Sequence, residues 1–273
     1  MYDKWKDNCQ ERKAEMENQK ATAKIRYHLL DTLRGITLIS MMLYHTVWDI
    51  VYIFGINWGW YRSVGAYVWQ QSICFTFILL SGFCWSIGRH HLKRGLTVFA
   101  AGALVSAVTC LFLYEDRVIF GVLTLLGTAM LFTIPLDKLF CKIKPQYGLL
   151  VAGLLFFLTR NVNVGSLGFE GTQLVTLPTG WYDRGYGMAF LGFPSESFYS
   201  TDYFSLIPWI FLFFMGYFLY QLLCKREGMG SGVIRNALVG GKCRPLEFIG
   251  RHSLLIYMLH QPVVFGILML LLG

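Results

Sequence analysis

Residues 95–113, GLTVFAAGALVSAVTCLFL, contain no charged side chain and no proline, and Arg94 stands directly before them. At about 1.5 Å per residue such a run matches the thickness of a bilayer's hydrocarbon, so it reads as a membrane-spanning helix. Comparable runs occupy 31–55, 66–87, 118–136, 147–160, 203–224 and 247–271. The run at 147–160 is short and ends at Arg160, with continuation through Asn161 and Asn163 as the alternative. Composition agrees. Of 273 residues, 55% are hydrophobic and only 15% charged, where soluble domains carry about a quarter. The fold class is an all-α integral membrane protein, a bundle of about seven transmembrane helices.

The charges between the runs orient the bundle. Lys4, Lys6, Arg12, Lys13, Lys20, Lys24 and Arg26 precede the first run. Arg89, Lys93 and Arg94 follow the second, Lys138, Lys142 and Lys144 the fourth, and Lys225, Arg226, Arg235, Lys242 and Arg244 the sixth. The alternate loops hold only Arg62, Arg117, Arg160 and Arg184. The positive-inside rule then places the N-terminus in the cytoplasm and the C-terminus outside, in a multi-pass cell (cytoplasmic) membrane protein. Trp58, Trp60, Tyr61, Trp69, Trp181 and Tyr182 fall near run ends, where interfacial belts lie. The net charge of +8 follows this alternation, so it is not a nucleic-acid signal. Residues 1–30 form a basic cytoplasmic segment and 31–273 the membrane domain. Within that domain, 161–202 is a long external segment and 225–245 a Gly-rich cytoplasmic loop. The first run is too long for a cleaved signal and is expected to stay as an anchor. Seven cysteines without a CxxC pair suggest neither a disulfide framework nor a metal site.

Ionisable groups at membrane depth cost about 2.5–3.5 kcal/mol each on insertion scales and are candidates for function. Asp31 and Arg34 share a helix face near the cytoplasmic surface, as a local ion pair or as part of a binding site. His45 and Asp49, four apart, also share a face; a carboxylate one turn from an imidazole can orient it as a general base. A purely structural His–Asp pair is the alternative. The last run opens with Gly250-Arg251-His252-Ser253 and carries Tyr257, His260, Gln261 and Pro262 near mid-depth. Pro262 removes a backbone donor and frees carbonyls near 258–259, which His260 can satisfy. His45 and His260 lie at similar depth and can line one cavity if the first and last helices are neighbours. Asp202 reads as an N-cap of the sixth span or as an acceptor-binding group, beside Trp209 at its outer entrance. His28, His90 and His91 fall at the cytoplasmic interface, where water solvates them.

Four stretches carry a family resemblance: LLDTLRGITLISMMLYHTVWDI (29–50), IFGVLTLLG (119–127), STDYFSLIPWIFLFFMGYFLY (200–220) and LEFIGRHSLLIYMLHQP (246–262). Together they resemble the small bacterial members of the heparan-alpha-glucosaminide N-acetyltransferase family, within the transmembrane acyltransferases. Two departures stand out. Thr124 occupies a place where the family commonly has histidine, and no histidine lies between Asp49 and His90, where the family's usual catalytic histidine belongs. His45 is the best substitute.

The resemblance implies transfer of an acetyl group from cytoplasmic acetyl-CoA to an amino or hydroxyl group of an extracytoplasmic sugar or glycan. On that reading His45, Asp49 and His260 are catalytic, with His45 as base and either His260 or a backbone donor toward the oxyanion. Arg34, Arg251, His252 and Asp31 meet the CoA, whose phosphates are polyanionic. Asp202, Trp209, Gln261 and Tyr257 contact the acceptor. Acetyl-CoA is then a co-substrate, no metal is needed, and a homodimer is among the assemblies allowed. The competing reading is a proton-coupled transporter of a small polar or lipid-linked solute, with His45, Asp49 and His260 as the relay. The lack of a visible internal repeat speaks mildly against it. A non-catalytic scaffold is the third.

Overall fold

A computed structural model describes residues 27–224, 240 and 243–272. The expected basic segment 1–30 lies outside the described residues up to position 26, as does the expected loop 225–245 over 225–239 and 241–242. The long helices are α1 (His28–Tyr52), α2 (Val64–Ile87), α3 (His91–Phe112), α4 (Val122–Phe140) and α5 (Pro145–Thr159). A short α6 (Tyr186–Leu191) precedes α7 (Leu206–Cys224), α8 (Arg244–Arg251) and α9 (Ser253–Leu272). Among the described residues, six helices are long and apolar enough to cross a membrane. The chain is an all-α integral membrane protein. At 25 residues α1 also has the length of a span, and Asp31, Arg34, His45 and Asp49 keep it out of that apolar set. The fifth span runs Pro145–Val164, because a 3-10 turn at Val162–Val164 carries it past Arg160 and Asn161.

The expected last span, 247–271, is corrected. The helix breaks at His252, so the preceding residues form the separate helix α8, and the apolar span begins at Ser253. The cause is the charge of this segment. Arg244, Glu247 and Arg251 sit within two turns, and Glu247 is used against α1 rather than carried through lipid.

Two layers result. The apolar core joins α2, α4, α5 and α7, with Ile78, Leu125, Phe156, Phe213 and Tyr217 at most 2% exposed. Where α2 crosses α7, a Cβ on Gly82 would strike the Phe213 carbonyl, and one on Gly216 the Leu79 carbonyl. Small residues thus let the two backbones touch, as membrane helices require when no hydrophobic force draws them together. The same device joins α1 to α8: a Cβ on Gly35 would overlap the Leu246 carbonyl, and one on Gly250 the Asp31 carbonyl. The glycine of Asp31-x-x-Arg34-Gly35 is therefore a packing residue. The second layer, α1 with α8 and α9, closes over α2.

The segment after α5 is ordered by its own bonds. A hairpin of β1 (Ser166–Phe169) and β2 (Thr172–Thr176) is pinned by the Asn161 amide, which donates to the Glu170 and Thr172 carbonyls at 2.8 and 3.0 Å. Elsewhere, two irregular segments, 117–120 and 200–204, are tied side by side into a strap. Thr201 N–H donates to Arg117 O at 3.1 Å, and Phe204 N–H to Phe120 O at 2.9 Å.

Candidate active site

Packing of α1 against α9 brings together the residues that the sequence placed near mid-membrane. The His45 and His260 rings lie 5.0 Å apart at 59°. His260 is 7% exposed and Asp49 is fully buried. Gln261 Nε2 donates to Asp49 Oδ1 at 2.7 Å, a bond between residues 212 apart in the chain. The carboxylate that was expected to orient His45 is thus held from α9. Gln261, expected to bind acceptor, spends its amide donor on Asp49, while Asp49 Oδ2 and Gln261 Oε1 remain buried without a partner among the described residues.

His260 Nδ1 is bonded to the Tyr257 carbonyl. A carbonyl oxygen only accepts, so Nδ1 carries the proton and Nε2 keeps its lone pair. That Nε2 is buried and has no partner among the described residues. The carbonyl satisfied near Pro262 is therefore that of Tyr257, one residue before the place expected.

Tyr257 extends the cluster. Its ring stacks on Phe77 at 6.2 Å and 29°, and its hydroxyl donates to Asp202 Oδ2 at 3.4 Å. Asp202 is not the N-cap of the sixth span, since α7 begins at Leu206. It sits on the strap, where the Val122 N–H also serves it, and burial raises its carboxyl to about 6. Trp209 stands apart from the histidines. It is 4% exposed and packed in the core against Phe75, Phe156 and Phe204.

Sequence reasoning missed three features. An aromatic wall borders His45: Tyr44 lies 5.2 Å from both Tyr61 and Trp69, and Trp69 stacks on Trp60 at 6.0 Å. Trp60, Tyr61 and Trp69 were legible only as interfacial aromatics. The second is Arg160, whose guanidinium lies over Trp209 at 4.7 Å and donates to Gln71 at 2.9 Å. Its place at the end of a predicted span was the available signal. The third is at the basic end, where Arg94 of α3 comes within electrostatic range of Arg34.

Charges at that end are partly compensated. Arg34 pairs with Asp31 at 3.7 Å. Glu247, 2% exposed, accepts from His28 at 2.8 Å and from Arg251 at 3.1 Å, tying α1 to α8. The His28 bond first, and then Arg251, hold the Glu247 carboxyl below its usual range. The expectation that His28 and His91 are solvated is corrected, because His28 is 18% exposed in this bridge and His91 stacks on Trp85 at 4.0 Å. His252 is exposed, its ring against Phe248 at 4.4 Å.

A family model described as heparan-alpha-glucosaminide N-acetyltransferase, catalytic, matches residues 26–262. The chain belongs to this family. Neither a curated protein nor a solved structure matches it. Membership makes the protein a membrane acetyltransferase, and the match spans every described part of the histidine cluster and of the basic end. In this member of the N-acetyltransferase family, the imidazoles of His45 and His260 meet across the seam between α1 and α9.

Proposed function

We propose that the protein moves an acetyl group from acetyl-CoA, held at the basic end, to an amino or hydroxyl group of a sugar arriving from the opposite end. The reaction takes place beside the His45–His260 pair. The observation that carries this reading is His260 itself: a buried imidazole whose Nδ1 proton is committed to a carbonyl and whose Nε2 lone pair is unclaimed among the described residues.

Arg34, Arg94 and Arg251 supply guanidinium forks for the CoA phosphates. From Arg34 to His45 is eleven residues of α1, about 16 Å, so the thioester must thread inward to reach the pair. His260 Nε2 accepts the proton as the acceptor nitrogen or oxygen forms its bond to the thioester carbonyl carbon. An N–H of His45 then faces the developing oxyanion. Collapse of the tetrahedral intermediate breaks the C–S bond, and the CoA thiolate recovers the proton from His260. Acetylated acceptor and CoA leave.

Relative to the sequence reading, the two histidines exchange roles, because Asp49 is bonded to Gln261. Asp49 and Gln261 then position α1 against α9. The test is radiolabelled acetyl-CoA with a panel of amino sugars, following product and free CoA. Transfer lost in His260→Ala with CoA binding retained supports the assignment. Full transfer by that variant sinks it.

A further inference from the structure

Between α1 and α2, at the end of the bundle away from Arg34, the chain makes a 3-10 turn at Gly59–Arg62. Its residues belong to a connector, and most behave as such: Trp60 is 44% exposed and Arg62 is exposed. Tyr61 between them is only 7% exposed. Bonds of the turn fix its inward aim, since Tyr61 N–H donates to the Trp58 carbonyl at 3.0 Å and Ser63 N–H to the Trp60 carbonyl at 2.9 Å. The Tyr61 ring lies 5.2 Å from that of Tyr44 and 6.1 Å from that of Tyr52, which accounts for the burial of the ring. It does not account for the hydroxyl. Tyr44 is near enough to influence the phenol, but no hydrogen bond of acceptable geometry reaches the buried Tyr61 Oη among the described residues.

Three more such atoms lie in the seam between α1 and α9, and they are of the opposite kind. Asp49 Oδ2, Gln261 Oε1 and His260 Nε2 are buried acceptors without a donor among the described residues. Asp49 is within electrostatic range of Tyr61, and the Tyr44 ring bridges Tyr61 to the His45 ring, 6.2 Å away. A buried polar atom left unpaired is a penalty that a fold carries only for a reason. One donor and three acceptors unpaired together call for an incoming group that completes them all. The amino or hydroxyl group of an acceptor fits half of that requirement. Its hydrogens suit Asp49, Gln261 and His260, while the lone pair it offers is the one that attacks. The Tyr61 proton then needs a different acceptor, and the reaction supplies one in the thioester carbonyl oxygen, whose charge grows as the new bond forms. Burial first, and then Tyr44, push the phenol above its usual range, so it enters the reaction protonated.

We propose that Tyr61 is a further catalytic residue, whose hydroxyl donates to the thioester oxygen as it becomes an oxyanion, together with the N–H of His45. The phenol keeps its proton throughout. As the acceptor nitrogen or oxygen bonds to the carbonyl carbon, the C=O electron pair moves onto oxygen and the hydrogen bond from Tyr61 shortens. As the C–S bond breaks, the pair returns and the bond relaxes. The assignment rests on the acetyltransferase reading for its chemistry and on the unpaired hydroxyl for its place.

Tyr61→Phe removes the hydroxyl and leaves the ring on its neighbours. In the full-length protein in detergent, with acetyl-CoA and a panel of amino sugars, kcat should fall about 10²–10³-fold, with KM for the acceptor little changed. Because the lost hydroxyl has no partner, the thermal midpoint should stay at or above that of the wild type. Tyr52→Phe loses an exposed hydroxyl from the same wall and should transfer at the wild-type rate. An unchanged kcat in Tyr61→Phe, an effect confined to KM, an equal loss in Tyr52→Phe, or a midpoint lowered in step with activity overturns the proposal. A second measurement needs no turnover. Infrared spectra of carbonyl-labelled acetyl-CoA bound without acceptor should show the thioester band at lower frequency in the wild type than in Tyr61→Phe; the same frequency in both removes Tyr61 as its donor. The two readings fail separately. Transfer lost in His260→Ala but intact in Tyr61→Phe removes Tyr61 alone, whereas a wild type that acetylates no acceptor sinks the acetyltransferase reading and leaves the infrared comparison to decide the contact.

Discussion

The core formed by α2, α4, α5 and α7 and the seam between α1 and α9 are built from opposite materials. In α7, more than half of the span is buried, and its neighbours present aromatic rings and aliphatic chains. In α9 only 17% is buried, yet that minority includes His260, and Gln261 reaches the buried Asp49. One region is held by many interchangeable contacts. The other is held by a few directional ones that have no substitutes. The contrast teaches that stability and chemistry are drawn from different helices, so they should be separable by mutation.

The sharpest break is expected at His260. Removing a positioned proton acceptor costs about 10²–10⁴-fold in rate, so His260→Ala should lose that much acetyl transfer while its melting curve in detergent stays near wild type. Equal losses of melting temperature and activity would erase the distinction between the regions. Phe213→Ala should do the reverse. It removes a fully buried ring, at a cost of about 3–5 kcal/mol, read as a lowered thermal midpoint, with specific activity of the folded fraction preserved.

Gln261→Leu tests the directional contact with a smaller effect. It strands the buried Asp49 carboxylate, at a cost of about 1–3 kcal/mol. Adding Asp49→Leu should recover much of that loss, because the unpaired charge is gone. A double-mutant cycle showing no coupling would mean that the 2.7 Å bond is energetically idle.

The mildest effect concerns pH. Asp202 is raised from 3.8 to about 6 by burial, so the folded protein holds this proton more tightly than the unfolded chain does. Stability from that proton is complete below the unfolded value and is lost as pH rises through about 6. Asp202→Asn should flatten the melting temperature over that window. An unchanged slope would remove Asp202 from the account.

The apolar runs made the spans legible, because lipid imposes its thickness on a sequence directly. Candidate residues at membrane depth were legible too, since His45, Asp49 and His260 stand out against leucine and phenylalanine. Their partners were not. The Asp49–Gln261 and His28–Glu247 bonds join residues 212 and 219 apart, and nothing local to either end announces the other. Glu247 looked like the edge of a span because apolar residues follow it. Only its seat beside His28 explains why the helix breaks at His252. Trp209 misled for the inverse reason: an aromatic at a span's end fits a mouth and a core equally well.

One turn of α9 has a consequence of phase. Between Tyr257 and Gln261 it reaches Asp202 in one direction, the imidazole of His45 in a second and Asp49 in a third. Each residue advances a helix by about 100°. A single alanine inserted after Ser253 would therefore swing all three side chains off their marks together, while leaving the helix as long and as oily as before.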